Sequence, residues 1–376
     1  MDNQIDMTKF PQLQMPPRVL LGPGPSMADP RILQSMATPL VGHLDPSFLE
    51  LMSRIQELLR YAFETDNPLT LAVSGTGTAA METAVANMVE PGDRVLVCVK
   101  GFFSLRIAEM ARRYGGEVEI IQRPWGEIFT PEEVEAALKA RPAKLVAIVH
   151  AETSTGVLQP LDEIVQVAHR HGALVIVDAV TSLGGLPVKV GARDIDVCYS
   201  GVQKCLGGPP GASPITLGPR AVEKLEGRKS PVANWYLDLS LLRKYWGSER
   251  AYHHTASISS YYALYEALRI IAEEGLETRW ARHRQNAELL WDGLQALDLT
   301  AHVPLEYRLP TLTTVRVPSG VDDAQLRGRL LKEYNIEVGG GLGELKGKVI
   351  RVGLMGYSSR PENVVLLLAA LERLLG

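Results

Sequence analysis

Lys204 stands in the stretch YSGVQKCLGGPPG, residues 199–211, between a short apolar run and a loop of glycines and prolines. That frame cannot easily continue a helix, and a solvated surface lysine needs no such frame. A lysine drawn partly out of water holds its proton less tightly, and the neutral amine can then form a Schiff base with a carbonyl. Taken alone, a lysine is more simply a snorkelling surface side chain. Asp178 closes the run ALVIVDAV, residues 173–180. A carboxylate at the end of apolar residues is costly to bury unpaired. It either caps a helix or turn, or it holds a protonated ring nitrogen.

Two further stretches belong with these. VSGTGTAAMETA, residues 73–84, passes from an apolar run through small polar residues into a helical pattern. The hydroxyls of Ser74, Thr76 and Thr78, with free backbone N–H groups at a helix start, suit a phosphate. A tight turn that needs glycine explains the stretch equally well. It has neither the Gly-Lys-Ser/Thr of a nucleotide P-loop nor the spacing of a dinucleotide fingerprint. GFF, residues 101–103, follows the run DRVLVCV. One of its aromatics could stack on a flat ring, though each taken singly reads as core. A phosphate cradle, an acid for a ring nitrogen, a Schiff-base lysine and an aromatic face are together what a protein must supply to pyridoxal 5′-phosphate. Their order along the chain, phosphate loop then aspartate then lysine, sharpens that reading.

These residues need a scaffold that gathers strand ends. From about 69 to 201, β-rich runs alternate with helical patterns: LTLAVSG, DRVLVCVKG, EVEIIQ, KLVAIVHA, ALVIVDAV and DVCYSG are the strands. Within TPEEVEAALKAR, Thr130 reads as an N-cap, Pro131 as N1 and Glu133 as the partner in a capping box. Near-continuous Val/Ile/Leu runs imply strands covered on both faces, hence an α/β fold with a mostly parallel sheet. In such a sheet functional groups collect beyond the carboxyl ends of the strands. Past Lys204 the sequence is mixed and aromatic to about 255. A long helical region over about 257–297 follows, then a smaller α/β unit (LTTVRV, DAQLRGRLLKEY, KVIRVGLMG, RPENVVLLLAALERLL). The expected organisation is an arm at 1–17, a large cofactor-binding domain at 18–255 and a small C-terminal domain at 256–376.

Bulk composition excludes several classes. The chain has 376 residues, 46% apolar and 22% charged, with a formal net charge of -4 and no block of like charges. It carries no electrostatic footprint for nucleic acid or an anionic membrane. No run approaches the length of a membrane span. MDNQIDMTKFPQLQMPP is not a secretion signal, and LERLLG carries no peroxisomal tripeptide. Cys98, Cys198 and Cys205 are too few and too scattered for a disulfide framework or a zinc site. A cytoplasmic protein is expected.

The sequence resembles the alanine–glyoxylate and serine–pyruvate aminotransferases, in the class V branch of fold-type I pyridoxal-phosphate enzymes. The resemblance runs over nearly the whole chain: LLGPGPS at 20–26, NPLTLAVSGTG at 67–77, ETSTGVLQPLD at 152–162, VDAVTSLGG at 177–185, YSGVQKCL at 199–206, YHHT at 252–255, GGLG at 340–343 and GKVIRVGLMG at 347–356. It implies a large domain with a mostly parallel sheet of the seven-stranded type. It also implies that Lys204 binds the cofactor aldehyde and, once released, moves a proton, and that Asp178 pairs with the ring nitrogen while Val180 packs on the ring. Thr76, Gly77, Thr78 and Gln203 would hold the phosphate or its surroundings, with Thr153 near the ring. Tyr252 and Thr255 would reach the neighbouring subunit's cofactor, making a homodimer with shared active sites. Arg351 would grip the substrate carboxylate in a bidentate pair, with Gly24 beside the substrate. Where the animal enzymes carry tryptophan, this chain has Phe103, a smaller ring for stacking.

The expected reaction transfers the amino group of L-alanine or L-serine to glyoxylate by a ping-pong mechanism. The related ureidoglycine–glyoxylate aminotransferases typically have asparagine before His-His-Thr and glutamine in their VGQ motif, where this chain has Tyr252 and His43. Both differences favour alanine or serine. A 2-aminoethylphosphonate aminotransferase is a further alternative. A non-enzymatic homologue would need none of Lys204, Asp178 and Arg351 together. The adjacent histidines of YHHT point apart and rarely share one ion, so no metal is expected, and His150 and Glu152 read as hydrogen-bonding groups. Cys205 lies too close to Lys204 to swing independently, as a desulfurase thiol must.

Overall fold

The structure is a computed structural model that describes residues 5–376; the first four residues of the expected arm lie outside the described residues. Its centre is a seven-stranded sheet built from β1 (Leu69–Gly75), β2 (Arg94–Val99), β3 (Glu117–Gln122), β4 (Leu145–Val149), β5 (Leu174–Asp178), β6 (Val197–Tyr199) and β7 (Gly211–Leu217). Their spatial order is β1-β7-β6-β5-β4-β2-β3. Strands β2 to β6 pair in parallel, as their apolar sequences predict, and only β7 runs antiparallel, to β6 and β1 alike. Every strand but β3 is buried along almost its whole length, β1 at one edge of the sheet included, and β3 at the other edge is half-exposed.

Helices α1 (Pro46–Phe63), α2 (Gly77–Met88), α3 (Phe102–Arg113), α4 (Pro131–Ala140) and α5 (Asp162–Arg170) cover the sheet. In α1 the spacing of Phe48, Met52, Ile55, Leu59 and Phe63 makes one buried stripe, the geometry of an amphipathic helix. The capping box at Thr130 and Glu133 is present at the start of α4. The expected helical region at 257–297 is two helices, α6 (Ile258–Glu274) and α7 (Leu276–Ala296). Gly275 breaks them at φ +80°, a conformation glycine adopts without strain.

A second apolar core gathers Leu290, Leu294, Val315, Leu330, Val352, Leu367 and Leu371, with Leu21 from the N-terminal side. It packs an antiparallel sheet of β8 (Leu312–Arg316), β9 (Gly339–Gly340) and β10 (Val349–Gly353) against α8 (Asp323–Tyr334) and α9 (Pro361–Leu375). Helix α6 contributes Tyr261, Leu264 and Leu268 to the first core.

Candidate active site

Parallel pairing sets Val149, Asp178 and Tyr199 side by side across β4, β5 and β6. Asp178 closes β5 and is buried. The Val180 N–H donates to its Oδ1 at 2.9 Å and the Tyr199 O–H donates to its Oδ2 at 2.9 Å. Burial pushes the Asp178 carboxyl up to about 6, and these two donors hold it back, because bonds to the charged form favour ionisation. Asp178 is therefore an anchored carboxylate at neutral pH. Tyr199 is a residue that sequence reasoning missed; its signal was its place at the end of the strand that leads to Lys204.

Lys204 lies in the turn after β6 and is 9% exposed. Its Nζ donates to the Pro23 carbonyl. Gly24 makes room for it: a Cβ at that position, where φ is +111°, would lie 2.6 Å from Nζ. Burial brings the lysine down to about 8, assisted by the nearby positive charge of Arg351. The neutral amine is the nucleophile, so capture of an aldehyde by the cofactor-free protein is expected to quicken as pH rises through about 8 and then to level off. Borohydride trapping of pyridoxal 5′-phosphate against pH checks this; a rise centred near the ordinary lysine value of about 10.4 would contradict it.

Arg351 sits in β10, 6% exposed. Its Nε donates to the Gly340 carbonyl at 2.7 Å and its Nη1 to the Thr153 carbonyl at 3.1 Å. Two carbonyls thus fix the plane of a guanidinium that reaches from the second core to the loop after β4. Burial lowers it to about 10, which leaves it charged at neutral pH.

The other end of the site is the start of α2. Thr76 is its N-cap, yet its side chain makes no capping bond, so the first N–H groups of the helix stay available to a ligand. A cavity of about 190 Å³ runs from Gly77 and Thr78 past Phe103, Val180 and Gln203 to Asp178 and Lys204, with Thr153 also on its wall. Phe103 follows β2, as the sequence implies, and stands in the first turn of α3, which begins at Phe102. Glu152 holds that turn. It accepts from the Ser104 N–H at 3.3 Å and from the Ser154 O–H at 2.6 Å, and the Phe102 N–H donates to Ser154 Oγ at 2.9 Å. A Cβ on Gly101 would strike Cγ and Cδ of Glu152 and lie 2.5 Å from Ser154 Oγ, so only glycine fits there.

Tyr252 and Thr255 do not line this cavity; both are exposed on the surface of the chain. Between them, His254 Nε2 meets Ser74 Oγ at 2.8 Å, and His253 meets His254 through their Nδ1 atoms at 2.8 Å. These histidines are spent on protein groups. Among the described residues no cluster of His, Cys, Asp and Glu is placed to hold a metal ion. His150 Nδ1 bonds to Ser182 Oγ at 2.9 Å. Cys98, Cys198 and Cys205 are all buried. The Cys205 thiol donates to the Thr181 carbonyl at 3.1 Å and is pushed up to about 12 by burial, so it is no thiolate.

These residues fit pyridoxal 5′-phosphate. The Gln203 carboxamide turns its Nε2, a donor, to the Gly77 side of the cradle. A Cβ at Gly77 would fill the space between Gln203 Nε2 at 3.5 Å and Val180 Cγ1 at 3.6 Å. An uncapped helix start, an anchored carboxylate and a buried amine then answer the phosphate, the ring nitrogen and the aldehyde.

The aminotransferase class-V family profile matches residues 22–364. An alanine–glyoxylate aminotransferase of Nostoc sp. superposes with a TM-score of 0.97 at 57% identity, over 99% of this chain and 100% of that one. The alanine–glyoxylate aminotransferase of Rattus norvegicus is 44% identical over 93% of this chain and 86% of its own length. The (S)-ureidoglycine–glyoxylate transaminase of Bacillus subtilis is 39% identical over 97% of this chain and 92% of its own.

Proposed function

This chain belongs to the class-V aminotransferases, and on that premise we propose that it moves the amino group of L-alanine, or of L-serine, to glyoxylate. It is a pyridoxal-5′-phosphate-dependent aminotransferase. The observation that carries the substrate reading is the convergence of a buried amine, Lys204, with a buried guanidinium, Arg351: Lys204 donates to Pro23, the Gly339 Cβ position borders both Pro23 and Arg351 Nη2, and the Arg351 charge is felt at Lys204. A small amino acid needs one group for its carboxylate and one base for its Cα.

The bound cofactor supplies an aldehyde to take up the amino group and a ring that draws electrons from the substrate's Cα. Lys204 Nζ would hold that aldehyde and, once released, would serve as the base that takes the proton from the substrate's Cα and as the acid that returns it. Its lowered proton affinity suits a group that must be base and then acid near neutral pH. Asp178 keeps a proton on the ring nitrogen through a carboxylate whose direction is set by Val180 and Tyr199. Arg351 pairs with the substrate carboxylate, its plane already set by two carbonyls, and Gly24 leaves room beside Lys204. Thr76, Gly77, Thr78 and Gln203 bind the phosphate, Phe103 and Val180 border the ring, and Thr153 lies beside it.

Tyr252 and Thr255, exposed in one chain, complete the cradle of a second copy, so the protein works as a homodimer with shared sites. We divide the chain into an arm at 1–17, a cofactor-binding domain at 18–255 and a small domain at 256–376, with α6 packed back onto the first core and Leu21 joining the second. We place it in the cytoplasm, where three unpaired thiols stay reduced; among the described residues no helix is long and apolar enough to cross a membrane.

Tyr252 and His43 favour alanine and serine over ureidoglycine. Their rings lie 5.2 Å apart and tilted on the outside of the chain, two aromatic groups that a second copy could carry to the site in place of amides. The test mixes enzyme separately with alanine, serine, glycine, ureidoglycine and aminoethylphosphonate and follows conversion to the pyridoxamine form. Alanine or serine is expected to react fastest. Predominant reaction with ureidoglycine or aminoethylphosphonate would overturn the assignment.

A further inference from the structure

Arg106 borders the cofactor cavity and has no role in the reading above. It lies on α3, half-buried, and its one hydrogen bond among the described residues runs from Nη1 to Thr78 Oγ1 at 3.1 Å. No carboxylate lies within ion-pair distance of it among the described residues. Its guanidinium sits over the rings of Phe103 at 5.1 Å and Phe102 at 5.4 Å, within the range of a cation–π contact.

The cradle at the start of α2 is otherwise neutral, made of Thr76, Gly77, Thr78 and Gln203. A phosphate monoester with a second pKa near 6 carries close to two negative charges at neutral pH. Of the cavity's two cationic side chains, Lys204 is committed to the Pro23 and Asp178 end, which leaves Arg106 for the phosphate end. A guanidinium is a donor only. When it donates to Thr78 Oγ1 it takes a lone pair and turns the hydroxyl's own hydrogen away from itself, toward the cavity. The same planar group backs the Phe103 ring.

We propose that Arg106 is a phosphate-positioning residue: it orients the Thr78 hydroxyl as a donor to the cofactor phosphate, supplies the positive charge that the cradle lacks, and braces Phe103 beside the ring. The proposal rests on the phosphate lying at the start of α2.

The test compares pyridoxal 5′-phosphate with pyridoxal, which lacks the phosphate, by equilibrium binding to the cofactor-free protein. Wild type is expected to prefer the phosphorylated form strongly. Arg106→Gln is expected to lose roughly 10- to 100-fold in affinity for the phosphorylated form, the range of a charge-assisted hydrogen bond, and little for pyridoxal. Thr78→Val should show the same selective loss, and the double variant should lose less than the two losses combined, since the residues act as one unit. Arg106→Lys should recover part of the preference. By ³¹P NMR the bound phosphate should stay dianionic in wild type as pH falls through about 6, and should titrate in Arg106→Gln. Equal weakening of both ligands in Arg106→Gln, or no weakening of either, overturns the role of Arg106. Equal binding of both ligands by wild type would instead sink the placement of the phosphate at α2, and the proposal with it.

Discussion

Lys204→Ala is expected to leave a folded protein that turns over at least ~10²- to 10⁴-fold more slowly, the span that one positioned proton-transfer group contributes. The lysine side chain makes one hydrogen bond, to the carbonyl of half-buried Pro23, and water entering the space the side chain leaves can replace the amine there. The fold therefore has little reason to fail. Two readouts separate a chemical from a structural role. Borohydride reduction should fix the cofactor on wild-type Lys204, seen as a modified peptide, and should fix none on the variant. Small primary amines added from solution should restore part of the rate by entering the space the side chain leaves. A variant that retains most of its activity, or that still yields a reduced cofactor adduct on another residue, would remove Lys204 from the centre of the mechanism.

Arg351→Ala should be nearly as damaging, for a different reason. Truncating one partner of a buried, hydrogen-bonded charge pair costs about 2–5 kcal/mol, or roughly 30- to 5000-fold in kcat/KM for alanine. Cofactor affinity should change far less, because Arg351 touches the loop at Thr153 and not the phosphate end. Arg351→Lys should not rescue: an ammonium cannot make two parallel bonds to a carboxylate. There is also a second signature. Arg351 is one cause of the lowered proton affinity of Lys204, so removing it should let that affinity rise. The pH dependence of aldehyde capture should then move toward higher pH. If Arg351→Ala left kcat/KM for alanine within a few-fold of wild type, the carboxylate would have to be held elsewhere.

The parts of this site that sequence discloses are those whose chemistry is odd for their surroundings. A lysine before a Gly-Pro loop, an aspartate after an apolar run and a Thr-rich turn into a helix each conflict with a plain structural purpose, and all three meet in one cavity. The alternation of apolar strands and helices discloses the parallel sheet in the same way. Strand β7 escapes because Pro214 lies in its middle, where proline normally argues against an interior strand. Helix α1 has a legible stripe but carries no chemistry, so no functional residue points to it. Glu152 is legible as a hydrogen-bonding group, and it holds the first turn of α3 as one. Tyr199 and Arg106 escape for a common reason: each acts on a functional residue of another element, and what makes a tyrosine or an arginine matter there is a contact that only the folded chain creates.

The pairing of β5 with β6 in register, Asp178 opposite Tyr199, carries a consequence for how this molecule is made. Side chains alternate faces along a strand, so a slip of one residue would turn one member of that pair to the other side of the sheet. Such a chain could be compact and helical and still be unable to present its carboxylate to the cofactor. Uptake of the coloured cofactor is thus a proofreading step read by eye. In a refolding reaction the yellow fraction counts the molecules in which two particular strands met at the correct residue.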